Sequence, residues 1–435
     1  MKVSLLDKNS KYLILLLVII LSFYRSPYIF FNSRFFAEEA SQHFLYAINN
    51  SFFDNLIFYD KAAGYYNLTP NILTWFSTLL PLELAPYFTV YGSFLIILFL
   101  IYITLFRESD LFDSNRKKIL GAILLFISPP LIPEIWINSI NSQVYLCLIS
   151  VLILFMKNLS VNQKHANHFI LLISGLSGIY TCVLLPLYFF KFYFHKVKYN
   201  FINLIILIFS NIIQLSLVLN STINNSLHRS VLKIDFSKDM LVNFVYNIIS
   251  KPFLGRDLTH WTWLKISNMH NNYFIWIALL FILFLLILAL NFKKIYNFIK
   301  INYTCYYLVI IFFLISSVII FGSLGNQLGG RYAVVPGVVL ILIALDILFK
   351  SRNRMLSTFL SIMILISVIS GLFEFRPNYK FNSKNPGTNY LKFLDCINCP
   401  EWKNEVIQWR KDNKRPIGLW PYPEKQFILK IANND

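Results

Sequence analysis

Residues 11–40 read KYLILLLVIILSFYRSPYIFFNSRFFAEEA. The stretch joins a mostly apolar run of about 20 residues, the length an α-helix needs to cross a bilayer, to two adjacent carboxylates, Glu38 and Glu39. Carboxylates at the edge of a bilayer are costly to bury, so they should either face water or serve a purpose. The apolar run is too long for the apolar part of a signal peptide and lacks a small-residue cleavage site, so it predicts a retained membrane helix.

The composition extends this prediction to the whole chain. Of the 435 residues, 57% are hydrophobic and 14% are charged, whereas an ordinary soluble domain is about half apolar and about a quarter charged. The pattern predicts an all-α polytopic membrane protein. The formal net charge is +18, but the Lys and Arg residues cluster in short segments between apolar runs. This is typical of the signals that orient membrane helices, and it argues against a nucleic-acid partner.

Membrane passes are predicted wherever the apolar runs are long. These runs lie near 11–31, 87–106, 119–133, 143–157, 201–219, 272–291, 304–322, 333–349 and 355–373. A further stretch, 169–194, contains Gly175, Gly178 and Pro186 and can be read as one span or as a hairpin of two short helices. The hairpin leaves more Lys and Arg on the cytoplasmic side, so it is favoured. Its halves are too short to span unaided, which makes the hairpin re-entrant-like.

This topology has about 11 passes, an N-terminus in the cytoplasm and a C-terminus on the outer face. Three segments then share that outer face: a first loop at about 32–86, a long loop at about 220–271 and a small tail at 374–435. Within the first loop, 40–56 and 70–80 mix apolar and polar residues and are predicted to be helices in the membrane interface. The chain therefore divides into a transmembrane domain, 1–373, and the tail, 374–435.

The cysteines indicate little about function. Cys396 and Cys399 form a C-x-x-C pair without a second pair, which argues against a structural zinc site. Outside the cytoplasm such a pair is compatible with a disulfide.

Several motifs together resemble one family. They are FAEEA at 36–40, GYYNLTPN at 64–71, LLP at 79–81, PEIWINSINSQ at 133–143, GLSG at 175–178, GRY at 330–332 with Pro336, and the Trp-rich segment 402–423. These segments resemble the pattern of uncharacterised bacterial membrane glycosyltransferases of the GT-C type, which take a sugar from a polyprenyl-phosphate carrier. The resemblance covers most of the chain. It departs at residue 39, where the pattern usually has Asp after Glu.

The resemblance implies an inverting glycosyltransferase of the bacterial inner membrane that modifies an envelope glycan or lipid on the periplasmic face. The chemistry also follows from the residues. An acceptor hydroxyl is a poor nucleophile and needs a carboxylate to take its proton, and Glu38 and Glu39 are the candidate catalytic residues. Arg331 is the candidate clamp for the departing phosphate, because a guanidinium can bind two oxygens. A carboxylate pair also suits Mg²⁺ or Mn²⁺, although no spacing demands a metal.

Further polar residues on the predicted outer face are candidate substrate contacts. They are Lys61, Tyr65, Glu134, Asn138, Asn141, Gln143, Arg256, His260 and Tyr332. Each also has a structural interpretation. The acidic pair suits the first turn of a helix, an arginine can extend to the headgroups, and Tyr332 suits the aromatic belt of a membrane interface.

Three other functions are the alternatives to a glycosyltransferase. A transporter or lipid-linked glycan flippase should carry ionisable residues near the middle of the bilayer and paired halves. An envelope polysaccharide polymerase would be expected to use arginines in two large outer loops. A non-enzymatic membrane assembly factor would need none of these features.

Overall fold

Helices account for almost all regular structure in the computed structural model, which describes residues 2–224, 243–269, 302–322, 330–375, 400–420 and 425–427. The α-helices are α1 (Lys2–Arg25), α2 (Pro27–Phe31), α3 (Leu45–Asn49), α4 (Phe52–Ile57), α5 (Leu68–Thr78), α6 (Ala85–Phe106), α7 (Asn115–Ile127), α8 (Ser142–Phe155), α9 (Val161–Leu176), α10 (Leu185–Phe194), α11 (Lys198–Ile223), α12 (Lys251–Met269), α13 (Tyr303–Gly322), α14 (Val334–Lys350), α15 (Arg354–Phe375) and α16 (Trp402–Lys411). Short π or 3₁₀ turns occupy Glu39–Phe44, Pro133–Ile135, Cys182–Leu184, Val245–Ser250 and Gly330–Ala333. Two strands, β1 (Ile417–Leu419) and β2 (Lys425–Phe427), pair antiparallel.

Among the described residues, five helical segments are long and apolar enough to cross a membrane. They are Ala85–Phe106, Lys198–Ile223, Tyr303–Ile320, Gly330–Lys350 and Arg354–Phe375. This supports the predicted all-α membrane protein and corrects the predicted count of eleven passes, which the described chain does not reach.

The shortfall has local physical causes. The predicted passes at 119–133 and 143–157 are helices of 13 and 14 residues, whereas spanning needs about 20. Helix α7 stops just before Pro129 and Pro130, which cannot donate a backbone hydrogen bond. Helix α1 has 24 residues, but charged residues occupy its first half up to Lys11 and it ends at Arg25, before Pro27 starts the separate helix α2. Its uncharged apolar stretch is therefore limited to residues 12–24. The predicted pass at 272–291 lies outside the described residues, as do Cys396 and Cys399.

The chain forms two compact units. The first comprises Met1–Arg107, Ile132–His228 and Arg376–Asp435, and the second comprises Glu108–Leu131 and Arg229–Phe375. The first unit therefore combines the first loop with the C-terminal segment. The predicted boundary at 373/374 follows the expected topology and stays a prediction.

In the first unit, α6 packs against α1, α5 and α8, while α11 packs against α9 and α10. The predicted break within 169–194 is present, because α9 ends at Leu176 and α10 begins at Leu185. Helix α9 begins earlier than expected because Ser160 and Gln163 form a capping box. The first loop contains the predicted helices, although the helix predicted over 40–56 is interrupted at Asn50.

In the second unit, α14 packs against α7, α13 and α15. A buried ion pair joins Lys117 of α7 to Asp346 of α14, with 2.6 Å between the ammonium nitrogen and a carboxylate oxygen. The other oxygen accepts from the Thr304 hydroxyl at 2.7 Å, and Lys350 approaches the same carboxylate at 3.0 Å. These bonds hold three helices together and keep the buried charges paired.

Candidate active site

The two carboxylates of the acidic pair have opposite environments. Glu38 is exposed, whereas the side chain of Glu39 is buried. The residue before them, Ala37, has a positive backbone φ of 32°, which is uncommon for a residue other than glycine. A hydrogen bond of 2.7 Å from the Glu39 amide to the Phe36 carbonyl closes the turn. We call residues 36–39 the acidic turn. It points one carboxylate outward and the next inward.

The Glu39 carboxylate joins this turn to a segment 100 residues away. One oxygen accepts from the Ser139 amide at 2.9 Å and from the Ser139 hydroxyl. The other oxygen accepts from the Phe36 amide at 3.0 Å. Burial raises the pKa of the Glu39 carboxyl, and the hydrogen bonds from Ser139 and Phe36 oppose that rise. Glu39 is thus a buried clamp between two segments.

The segment that binds Glu39, residues 134–141, has a strained backbone. Ile137 has a φ of 47°, an outlier for a β-branched residue. The side-chain amides of Asn138 and Asn141 both donate to the Glu134 carbonyl oxygen at 2.9 Å. Two of the candidate substrate contacts, Asn138 and Asn141, are therefore buried and hold the backbone of this segment, while Glu134 is partly exposed.

Gln143 and Tyr65 meet as neighbours. The Gln143 amide donates to the Tyr65 hydroxyl at 3.2 Å, and Tyr65 keeps partial exposure. Gly178 packs against Gln143 with a φ of 97°, so a side chain at residue 178 would collide with the Gln143 amide. The Gly178 amide also donates to the Tyr66 carbonyl at 3.0 Å. The motifs at 36–40, 64–71, 133–143 and 175–178 thus come together in the first unit.

The Glu39–Phe44 turn is π-helical, a form that often occurs at functional sites. It places the buried His43 against Asn71, and their side chains lie 2.6 Å apart, from the His43 Nδ1 to the amide oxygen. Burial lowers the pKa of His43 to about 4, while Asn71 and the charges of Asp60 and Glu38 oppose the decrease. His43 is therefore neutral at pH 7.

Sequence reasoning did not select Ser139, His43 or Asp60 as site residues. The spacing of Glu39 and His43 by four residues could have indicated a shared helical face. Nothing local to Ser139 signals its role, because that role depends on its contact with Glu39 in the folded chain.

The remaining candidates occupy less enclosed positions. Lys61 is exposed in the first unit. In the second unit, Arg331 donates to the hydroxyl of Tyr332 at 3.1 Å. Arg256 forms an ion pair with Asp257 at 3.1 Å, and His260 is exposed on α12. The predicted proximity of these second-unit residues to the acidic turn stays a prediction.

The described residues contain no group of three or more His, Cys, Asp or Glu side chains able to hold a metal ion. The suggestion that the acidic pair binds Mg²⁺ or Mn²⁺ stays a prediction.

Comparison with known proteins identifies no relative. No family model matches the chain, and no curated protein or solved structure matches it either.

Proposed function

We propose that this chain is an integral membrane glycosyltransferase of the GT-C type. It would transfer a sugar from a polyprenyl-phosphate carrier to an envelope glycan or lipid on the periplasmic face of the bacterial inner membrane. The observation that carries the proposal is the division of roles within the acidic pair. The exposed Glu38 sits on a strained turn whose position is fixed by the buried Glu39.

Glu38 is the general base in this mechanism. As the acceptor hydroxyl oxygen attacks the anomeric carbon, the bond from that carbon to the phosphate oxygen breaks. The hydroxyl proton passes to the Glu38 carboxylate, and the lipid phosphate leaves with the bonding electrons. Attack opposite the leaving group inverts the anomeric centre.

Glu39 is less suited to this role. Three hydrogen bonds from Ser139 and Phe36 already occupy its two oxygens, and its side chain is buried. A base must come within hydrogen-bonding distance of the proton that it takes. Glu38 can do so without first breaking the turn.

The departing phosphate needs positive charge at the same membrane face. Arg331 is the proposed clamp because a guanidinium matches two phosphate oxygens, with Tyr332 beside it. The periplasmic location of the acidic turn and of the C-terminus belongs to the same proposal.

Single substitutions within the pair test the assignment. Glu38→Gln should lower sugar transfer by about 100- to 10,000-fold, the range of a lost general base, at normal protein accumulation. Glu39→Gln should instead reduce the amount of folded protein and leave residual transfer per folded molecule. Asp54→Asn is the matched control, because Asp54 is an exposed carboxylate of the same loop. Transfer is measured in vesicles with a polyprenyl-phosphate sugar donor.

Two results would overturn the assignment. Full transfer by Glu38→Gln would exclude Glu38 as the base. Full transfer by both glutamine variants would remove the acid–base proposal altogether.

The buried Lys117–Asp346 pair is the feature that favours a transporter. However, Lys117 lies in the first turn of α7, and Asp346 lies in the last turns of α14. Helix ends are where a structural ion pair is expected, whereas a coupled transporter places its ionisable groups near the middle of the membrane. The pair is therefore better explained as a fastening between helices.

A further inference from the structure

Arg34 is the centre of a buried polar cluster next to the acidic turn. Its guanidinium donates to the Glu405 carboxylate and to the carbonyl of Gly418, and it donates to the Pro400 carbonyl at 2.6 Å. The rings of Trp402 and Trp420 lie 5.7 and 5.8 Å from the guanidinium carbon. Arg34 precedes the acidic turn in the sequence, whereas these partners all lie in residues 400–420.

Within the same C-terminal segment, the backbone of Trp420 bonds to the backbone on both sides of Phe36, directly before the Cα of the strained Ala37. The Ala37 amide donates to the Trp420 carbonyl at 2.7 Å, and the Trp420 amide donates to the Phe35 carbonyl at 2.9 Å. Phe36 and Trp420 thereby form a parallel bridge. The bridge ends directly before Glu38, so the position of the exposed carboxylate depends on it.

An apolar cluster also joins the first loop to residues 400–420. Phe35, Ala40, Phe44 and Ala85 of the first loop pack with Trp402, Val406, Ile417 and Leu419 of the C-terminal segment. At the far edge, the Trp402 indole donates to the Leu82 carbonyl at 2.8 Å. We call residues 400–420 the C-terminal strap.

We infer that the C-terminal strap holds the acidic turn in its working conformation, with Arg34 and Glu405 as positioning residues for Glu38. The role of Glu38 as a base rests on the proposed function, whereas the mechanical link rests on the contacts alone. Glu405 is central because its carboxylate also accepts from the Gly418 amide at 3.2 Å. It therefore fixes both the arginine and the strand that leads to Trp420.

The pair has a matched control on the same helix. Arg410 of α16 contacts Glu83 at 3.1 Å, and its side chain is 56% exposed. An ion pair whose cation lies largely in solvent contributes little to stability. Arg410→Gln removes one ion pair between strap and loop but leaves the bridge to Ala37 in place.

The experiment compares Glu405→Gln, Arg34→Lys and Arg410→Gln in full-length protein reconstituted into lipid nanodiscs. Amide hydrogen exchange is followed in peptides that contain Ala37 and Trp420. Both test variants should exchange about tenfold faster there, as expected when a local structure opens more readily, and the control should match the wild type. Exchange in α11 reports whether the rest of the first unit remains folded.

Sugar transfer supplies the second readout. In the test variants kcat should fall about 10- to 100-fold, because small displacements of a catalytic group are costly, while the donor KM changes less than about twofold. Unchanged exchange at Ala37 and Trp420 would overturn the strap, and so would faster exchange with an unchanged kcat in an active enzyme. Faster exchange in a protein whose wild type transfers no sugar would refute the proposed function and leave the mechanical link standing.

Discussion

Substituting the buried Glu39 should lower the stability of the protein, whereas substituting the adjacent exposed Glu38 should leave it almost unchanged. Glu39→Ala leaves the amides of Phe36 and Ser139 without their acceptor. Two such buried donors cost about 2–6 kcal/mol, and removing a carboxylate that is expensive to bury offsets part of this. We expect a net loss of about 2–4 kcal/mol in the free energy of unfolding. Glu39→Gln should lie between wild type and Glu39→Ala, because one carbonyl oxygen can satisfy one of the two amides.

The measurement is thermal unfolding of purified protein in a mild detergent, with the Glu38→Gln variant as the control. Since Glu38 is exposed, its substitution should change stability by less than about 0.5 kcal/mol. Ser139→Ala removes the hydroxyl and keeps the amide, so it should cost about 1 kcal/mol. The clamp is refuted if Glu39→Ala is as stable as the wild type, or if Glu38→Gln loses as much stability as Glu39→Gln.

The raised pKa of Glu39 also fixes the sign of a pH effect. A carboxyl whose pKa is higher in the folded than in the unfolded state favours folding in its protonated form. Its contribution is therefore present at low pH and is lost as the pH rises through the folded-state pKa. The Glu39→Gln variant should lack this part of the pH dependence, which unfolding measured across a pH series would detect.

Two further predictions concern buried charge. Burial lowers the pKa of His43 to about 4 in the folded chain, from its ordinary 6.5. The protein should therefore lose up to about 3 kcal/mol of stability as the pH falls from 6.5 to 4. The His43→Gln variant should lack this loss of stability at acidic pH in the same unfolding assay. In the second unit, Lys117→Met leaves Asp346 with Lys350 as a remaining cation, so the loss of stability should be smaller than the about 3–5 kcal/mol expected for a wholly unpaired buried charge. Adding Asp346→Leu should recover part of that loss, and a single variant as stable as wild type would contradict the pairing.

The sequence was sufficient for the helical class and for the break after α9. Long apolar runs and a Gly-containing turn encode those features locally. It was not sufficient for the number of passes, because the prolines after α7 and the break at Arg25 shorten runs that composition alone would extend.

The roles of the acidic pair also lay beyond sequence reasoning. Glu38 and Glu39 are identical in chemistry and adjacent in the chain, so only their partners distinguish them. The partner that buries Glu39 is Ser139, 100 residues away. Similarly, Asn138 and Asn141 look like polar groups available to a substrate until their hydrogen bonds to the Glu134 carbonyl are seen. Such roles follow from tertiary contacts rather than from residue type.

The bridge between Phe36 and Trp420 has a consequence for biosynthesis. Arg34 and its partner Gly418 are 384 residues apart, so a ribosome adding about 5–20 residues per second needs roughly 20–80 s between them. During that interval the first loop lacks the partner that holds its carboxylates. The nascent protein would therefore begin to enter the membrane without a finished acidic turn and acquire one only after Trp420 has been synthesised.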